Sequence, residues 1–341
     1  MAKLSVIIPA HNAENDIRAC LEAVFSQAVR GLEVIVVDDG SRDRTPQIAQ
    51  EFSCATVALG ACSGAAAARN AGAQRAAGEL LLFLDADTTL QAGGLEAVLR
   101  AFAEHPEADA VQGVYALETD SAGSASLARH YYKCHKTQRM RDGYIAGLNS
   151  YCFAVRREAF EIAGGFDPRA EGVEDVELGM RLAAMGRRIV LDKKIQVRHR
   201  KHYTLWSLLR TDFRKVRAKA GLLLDRRFGR REDAAAPMTF SLNTKGSMVP
   251  EFLSVILSAL ILADAALLAV YREALFAGLG LGMIVLFALL NIGFVNVVRR
   301  NHGASAAARC LVVCYFEMLA AQLAVLAAAG GYLVPAAERR A

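Results

Sequence analysis

The run LLLFLDADTTL, residues 80–90, decides how the N-terminal part of this chain is read. Glu79 to Leu84 read as an apolar strand, and it leads into two carboxylates one residue apart, Asp85 and Asp87. In an extended segment side chains alternate, so period two predicts that both acids point to one side of the strand exit. Two such charges side by side are unfavourable unless something cationic faces them.

Working outward, three further short apolar runs precede this one: Leu4–Pro9 (LSVIIP), Leu32–Val37 (LEVIVV) and Thr56–Leu59. Between the first two lies an amphipathic helical pattern from about Ala13 to Gln27, with Ile17, Leu21, Val24 and Phe25 on one face. Further helices are predicted over Thr45–Phe52 and Gly64–Ala77. This alternation predicts an α/β fold with an open, mostly parallel sheet, whose ligands gather at the carboxyl ends of the strands. Those ends carry Pro9, Ala10, His11, Asn12 and Glu14, then Asp38, Asp39, Gly40 and Ser41, then Asp85 and Asp87. Taken singly, DDGS is a strand-to-turn connection and SGAAAARNAG an alanine-rich helix capped by Ser63. Their order along one sheet edge points instead to a binding site.

Five segments, LSVIIPAHNAEN, VIVVDDGSRDRT, GAAAARNAG, LLFLDADTTL and AGGFDPRAEGVEDVELGMRL, resemble in their order a family-2 glycosyltransferase with a GT-A (Rossmann-like) nucleotide-sugar domain. The resemblance covers about residues 3–235. It implies a nucleotide-diphosphate sugar donor, a UDP-sugar first and a GDP-sugar second. It also implies Mg²⁺ or Mn²⁺, since hard oxygen ligands suit these ions and the cation neutralises the departing diphosphate. By the same resemblance Asp87 binds the metal and Asp85 holds the ribose or a metal-bound water. Pro9, Ala10, Asn12 and Glu14 wall the nucleotide pocket, Asp39 meets the nucleobase, Asp38 supports that turn, and Arg69 reaches base or ribose. His11 stands where an aromatic residue is more common.

A second half of the site is expected to begin near Tyr144 and Asn149, followed by a tight loop at Gly164–Asp167 and a helix opening on Glu174 and Asp175. Carboxylates there also suit a helix N-terminus by themselves. The resemblance makes Asp175, with Glu174 beside it, the catalytic base of a single inverting displacement. His199 or His202 is expected to complete the metal or diphosphate site, with Arg198, Arg200 and Lys201 as possible diphosphate contacts. The Q-x-x-R-W segment of processive polysaccharide synthases is missing from this region, where Trp206 sits in YTLWSLL, so transfer of a single sugar is expected.

The 341 residues have room for two domains, and 54% hydrophobic residues with a mean hydropathy of +0.24 exceed what a soluble enzyme needs. The excess lies late in the chain, in apolar stretches at about 249–271, 274–298 and 310–334. Each is long enough to cross a hydrocarbon core as a helix, which takes about 20 residues. The expected organisation is therefore a GT-A domain at 1–235 and a three-helix membrane domain at 236–341. Asp264 and Glu317, the acids inside the spans, are expected to face protein or the membrane edge.

From Arg198 to Arg231 there are twelve Lys or Arg against two acids, interleaved with Leu205, Trp206, Leu208, Leu209, Phe213 and Val216. No nucleic-acid motif accompanies this charge, so no nucleic-acid partner is expected, and a basic amphipathic segment before a membrane helix is read as lying on an anionic leaflet. The acceptor is then expected to be a membrane lipid or lipid-linked molecule. A polyprenyl-phosphate sugar synthase is the alternative within the enzyme class, and a non-catalytic GT-A-like membrane subunit of a glycan assembly complex the alternative outside it. MAKLSVIIPAHN lacks the apolar run of a signal peptide. The basic connection 299–309 is also expected on the cytoplasmic side. Together these give a multi-pass cytoplasmic-membrane protein with its catalytic domain in the cytoplasm. Seven cysteines without C-x-x-C spacing fit a reducing compartment.

Overall fold

The computed structural model describes residues 3–140, 143–145, 147–227 and 249–333. In chain order the first elements are β1 (Leu4–Ala10), α1 (Ile17–Phe25), β2 (Leu32–Asp38), α2 (Thr45–Gln50), β3 (Ala55–Ala58), α3 (Ala65–Arg75) and β4 (Leu80–Leu84). They continue with β5 (Thr88–Leu90), α4 (Gly94–Glu104), β6 (Ala110–Tyr115), α5 (Ser124–Arg139), β7 (Gly143–Ile145), β8 (Cys152–Arg156) and α6 (Arg157–Ile162). The chain then forms α7 (Glu174–Ala184), β9 (Ile189–His199), α8 (Leu205–Arg227), α9 (Val249–Tyr271), α10 (Ala274–Leu290) and α11 (Ile292–Leu333). Two compact units result: Met1–Asp120 with Arg141–Lys201 contain the sheet, while α5, α8 and the three C-terminal helices form the other.

The sheet has the order β3-β2-β1-β4-β8-β6-β9-β5, with β7 also paired to β9. Strands β1 to β4, β6 and β9 run one way, and β5, β7 and β8 run against them. The mostly parallel α/β expectation is met, with antiparallel strands confined to the half beyond β4. Every residue of β4 is buried, with β1 and β8 flanking it and Phe160 of α6 packed on Phe83; each such Leu or Phe stabilises the fold by about 1.5–3 kcal/mol. Helix α3 lies against β1 and β2 through Gly72, where a Cβ would come within 2.4 Å of Ile7 and 3.0 Å of Val37. This close approach carries Arg69, one turn earlier, toward the carboxyl ends of the strands.

The turn after β4 departs from the alternation read in sequence. β4 ends at Leu84, and Asp85 to Asp87 form a turn in which the Thr88 N–H donates to the Asp85 carbonyl at 3.0 Å. Asp85 and Asp87 therefore do not share one strand face, and each meets its own cation.

Among the described residues of the second unit, α9 and α11 contain the two helices long and apolar enough to cross a membrane, Phe252–Tyr271 and Ile292–Gly331, and α10 is a shorter apolar helix. The predicted span 274–298 is interrupted at Asn291, although hydrogen bonds from Asn291 N to Phe287 O and from Val295 N to Asn291 O carry the helix across. A full break comes at Gly303, whose φ of 84° and ψ of 171° divide α11. Asp264 is buried, with Oδ2 2.4 Å from where a Cβ on Gly280 of α10 would stand, and Glu317 pairs with Arg129 of α5 at 3.4 Å. Both acids thus face protein. Polar side chains bridge helices, Asn291 Nδ2 to Ser254 Oγ at 3.0 Å and Gln322 Nε2 to Ser258 Oγ at 2.7 Å, whereas Leu260, Val270, Leu275, Leu281 and Leu326 are exposed. Residues 228–231 of the predicted basic segment, 236–248 and the last position of the predicted third span lie outside the described residues.

Candidate active site

Asp39 follows β2 directly and is buried. Its Oδ1 accepts the Ser63 N–H at 2.6 Å and its Oδ2 the Gly64 N–H at 2.9 Å. It thereby neutralises the N-terminus of α3, where unpaired N–H groups and the helix dipole favour an anion. The cap comes from this distant carboxylate; the Ser63 hydroxyl donates to the Ala61 carbonyl instead. Asp38 Oδ1 accepts the Ser41 N–H at 3.1 Å, and Asn12, in a left-handed conformation (φ 49°), accepts the Arg42 N–H at 2.8 Å. Glu14 accepts the Arg44 N–H at 3.0 Å. These bonds tie the loop after β1 to the loop after β2.

Together they frame a cavity of about 580 Å³ lined by His11, Asn12, Asp38, Ser41, Arg42 and Cys62, among others, within the ~300–1,000 Å³ of small-molecule sites. Pro9 and Ala10 end β1, beyond the last β4 partner at Ile7. Cys62 and its neighbours come from the end of β3, a strand end that the sequence reading passed over although the same edge rule covers it. His11, Asp39 and Cys62 lie close enough together that one ligand atom of each is within 4.8 Å of the others.

The β5–β9 ladder builds the second part. Thr88 pairs with His199, so the residues just outside the ladder, Asp87 and Arg200, face each other, and the Arg200 N–H donates to the Asp87 carbonyl at 2.8 Å. Asp87 Oδ1 then lies 3.6 Å from His199 Nε2, and Oδ2 3.9 Å from Lys201 Nζ. Tyr115 stacks on Tyr151 at 4.1 Å and meets the His199 ring edge-on at 5.4 Å. Of the two candidate histidines the fold brings His199 to Asp87; His202 is an exposed residue of the second unit. Arg200 pairs with Asp16 at 3.2 Å, and Arg198 with Asp120 at 3.9 Å.

Asp85 has the cation its position demands, Arg69, at 2.7 Å. The other arm of Arg69 reaches Glu174 at 2.9 Å. Asp175, next along α7, accepts the Val176 N–H at 2.7 Å and, from the segment before β8, the Ser150 N–H at 2.9 Å. The loop before α7 is fixed by Asn70, which exchanges two hydrogen bonds with the Phe166 backbone at 2.8 and 2.9 Å. Asn149 N–H donates to Gln112 at 2.6 Å and stays with this group. Tyr144 does not: it pairs with Val190 near the start of β9, contacts Glu107 and packs under Arg188, far along that strand from His199.

Residues 5–162 match the profile of Glycosyl transferase family 2. The likeness to that family rests on this domain. A putative glycosyltransferase, EpsH, of Bacillus subtilis is 31% identical over 185 residues, covering 50% of this chain and 53% of its own. A pre-mycofactocin glycosyltransferase of Mycobacterium tuberculosis is 30% identical, covering 58% of this chain and 42% of its own. The chain thus spans about half the length of the curated relatives it matches. Among solved structures, a Pyrobaculum calidifontis mannosyltransferase in complex with GDP-Man and Mn²⁺ superimposes with a TM-score of 0.65 at 20% identity, over 95% of this chain and 87% of that one. The GT-A-type fold is shared with it.

Proposed function

We propose that this protein is a membrane-bound, inverting, metal-dependent glycosyltransferase that moves one sugar from a nucleotide-diphosphate donor to a lipid or lipid-linked acceptor. The observation that carries the reading is the meeting of Asp87 and His199 at 3.6 Å, on the same sheet edge as the cavity lined by His11, Asn12 and Asp38. That separation suits two ligands of one ion bound at about 2.1 Å each, and a carboxylate with an imidazole and donor phosphates suits Mn²⁺ or Mg²⁺. When bound, the ion would neutralise charge building on the diphosphate.

The remaining roles belong to the chain itself. Asp39 and the loop after β1 receive the nucleoside, and Asp85 stands at the ribose side. Asp175 takes the proton from the acceptor hydroxyl as its oxygen attacks the anomeric carbon. The bond from that carbon to the diphosphate breaks, the electron pair leaves with the diphosphate, and the centre inverts.

Membrane attachment is supported by α9–α11 and by α8. On α8, Leu208, Asp212 and Leu222 are buried, while Arg210, Arg214, Lys215 and Arg217 are exposed beside Trp206, which is 75% exposed. An exposed Trp and a basic face are what an anionic lipid surface holds. We place the catalytic unit on the cytoplasmic side.

The test is nucleoside diphosphate release by detergent-purified protein over UDP-, GDP- and dTDP-sugars, GDP-mannose included. Each donor is run with and without bacterial lipid extract, and with Mg²⁺, Mn²⁺ or chelator. Lipid-stimulated, metal-dependent release from one donor, lost in Asp87→Ala, is expected. Release that is indifferent to chelator and to Asp87→Ala overturns the metal assignment, and donor binding without release for any lipid favours the non-catalytic subunit.

A further inference from the structure

Arg69 was expected to touch the donor, yet the residue is only 3% exposed and its two terminal nitrogens are already engaged. One holds Asp85 at 2.7 Å and the other Glu174 at 2.9 Å, while the group lies 5.4 Å over the Phe166 ring. Burial works against the charged form, but Asp85, Glu174 and Asp175 outweigh it and hold Arg69 above the ordinary arginine pKa. A buried ion keeps its charge only when paired and hydrogen-bonded, and here the pairing joins two distant pieces of chain. Asp85 opens the turn that carries Asp87; Glu174 opens α7 and immediately precedes Asp175.

We propose that Arg69 is a positioning residue that clamps the end of β4 to the first turn of α7, fixing the donor-side carboxylates relative to Asp175. This rests on the assignment of Asp175 as base. A planar guanidinium can fork to two carboxylates in fixed directions, whereas an ammonium is a point charge on a flexible stem. Alignment matters because a misplacement of about 1 Å can slow a reaction ~10²-fold. The loop after α6 is built to the same end: Asn70, the next residue of α3, holds Phe166, whose ring supports the guanidinium.

The test uses the full chain in detergent, with the donor selected by the release assay. Arg69→Lys keeps the charge and is expected to hold the melting temperature near wild type, lower kcat by about tenfold or more, and speed hydrogen exchange at Thr88, Ser150 and Val176. Arg69→Met is expected to lower stability as well, by leaving Glu174 buried and uncompensated. Adding Glu174→Leu removes that charge, so the double variant should regain melting temperature while kcat stays low. Recovery of kcat together with stability would show that Arg69 only neutralises charge. Unchanged kcat and exchange in Arg69→Lys would likewise overturn the clamp. If wild type turns over no donor while Arg69→Lys still loosens both segments, the clamp stands and the functional reading falls.

Discussion

Replacing Asp175 by Asn tests the proposed chemistry most directly, and the structure sets two separate magnitudes for it. The Asp175 carboxylate accepts one N–H on each oxygen, from Val176 at 2.7 Å and from Ser150 at 2.9 Å. An asparagine can accept only one of these and turns its NH₂ toward the other donor. The loss of one charge-assisted hydrogen bond costs about 1.5–3 kcal/mol, which lowers the melting temperature by several degrees. A general base contributes about 10²–10⁴ to the rate, or about 3–5 kcal/mol at 1.36 kcal/mol per decade.

These effects separate in the assay. Melting is followed by intrinsic fluorescence, and turnover by nucleoside diphosphate release at saturating donor and acceptor. Asp175→Asn should lose kcat by at least about a hundredfold while donor KM stays within about threefold, because the lost interaction belongs to the transition state. A kcat within threefold of wild type, in protein that melts cooperatively, would refute the role of Asp175. The acceptor would then belong to the phosphates, which arrive already ionised and need no base.

Gly165 has φ +70° and its Cβ would lie 2.8 Å from Asn70 Oδ1, so Gly165→Ala should cost about 3–4 kcal/mol, from ~1–2 for the left-handed conformation and ~1 for each of the two strained Asn70–Phe166 hydrogen bonds; denaturant titration of the variant checks it. His199→Ala should weaken activation by Mn²⁺ about tenfold or more, with His202→Ala unchanged, and equal effects of the two would remove His199 from the metal site. Cys62 is exposed at the cavity wall, whereas burial pushes the Cys152 thiol up to about 12. A maleimide at pH 7.5 should therefore label Cys62 and spare Cys152, and donor nucleotide should protect Cys62; peptide mass spectrometry reads both sites.

What was legible in the sequence follows the range of the forces involved. The runs Leu4–Pro9, Leu32–Val37 and Glu79–Leu84 could be read as strands, each within a residue of the strand found, because a strand buried on both faces writes a near-continuous apolar run. The helix ends were read too long, since Ala13–Asp16 form a turn held by the loop after β2 through Thr45 and Asp43, bonds with no local signature. The membership of α5 in the helical unit was not legible at all. Its sequence, SASLARHYYKCHKTQR, is mostly polar, yet Ala125, Leu127, Ala128 and Tyr131 join the apolar cluster of that unit while Arg129 meets Asp212 at 2.7 Å and Glu317 at 3.4 Å.

The site divides in the same way. That Asp85 needs a cation follows from electrostatics alone, but which cation depends on where α3 lies, and that depends on Gly72 letting the helix sit against Ile7. The choice of His199 over His202 needed the register of β5 on β9: shifting Thr88 by one residue along its partner would move Asp87 away from the imidazole. Residue identities therefore announced the candidate groups, while long-range pairing chose which of them meet. Arg69 is the clearest case, since an arginine in an alanine-rich helix reads locally as a surface charge and becomes the link between two carboxylates only once Asp85 and Glu174 are folded onto it.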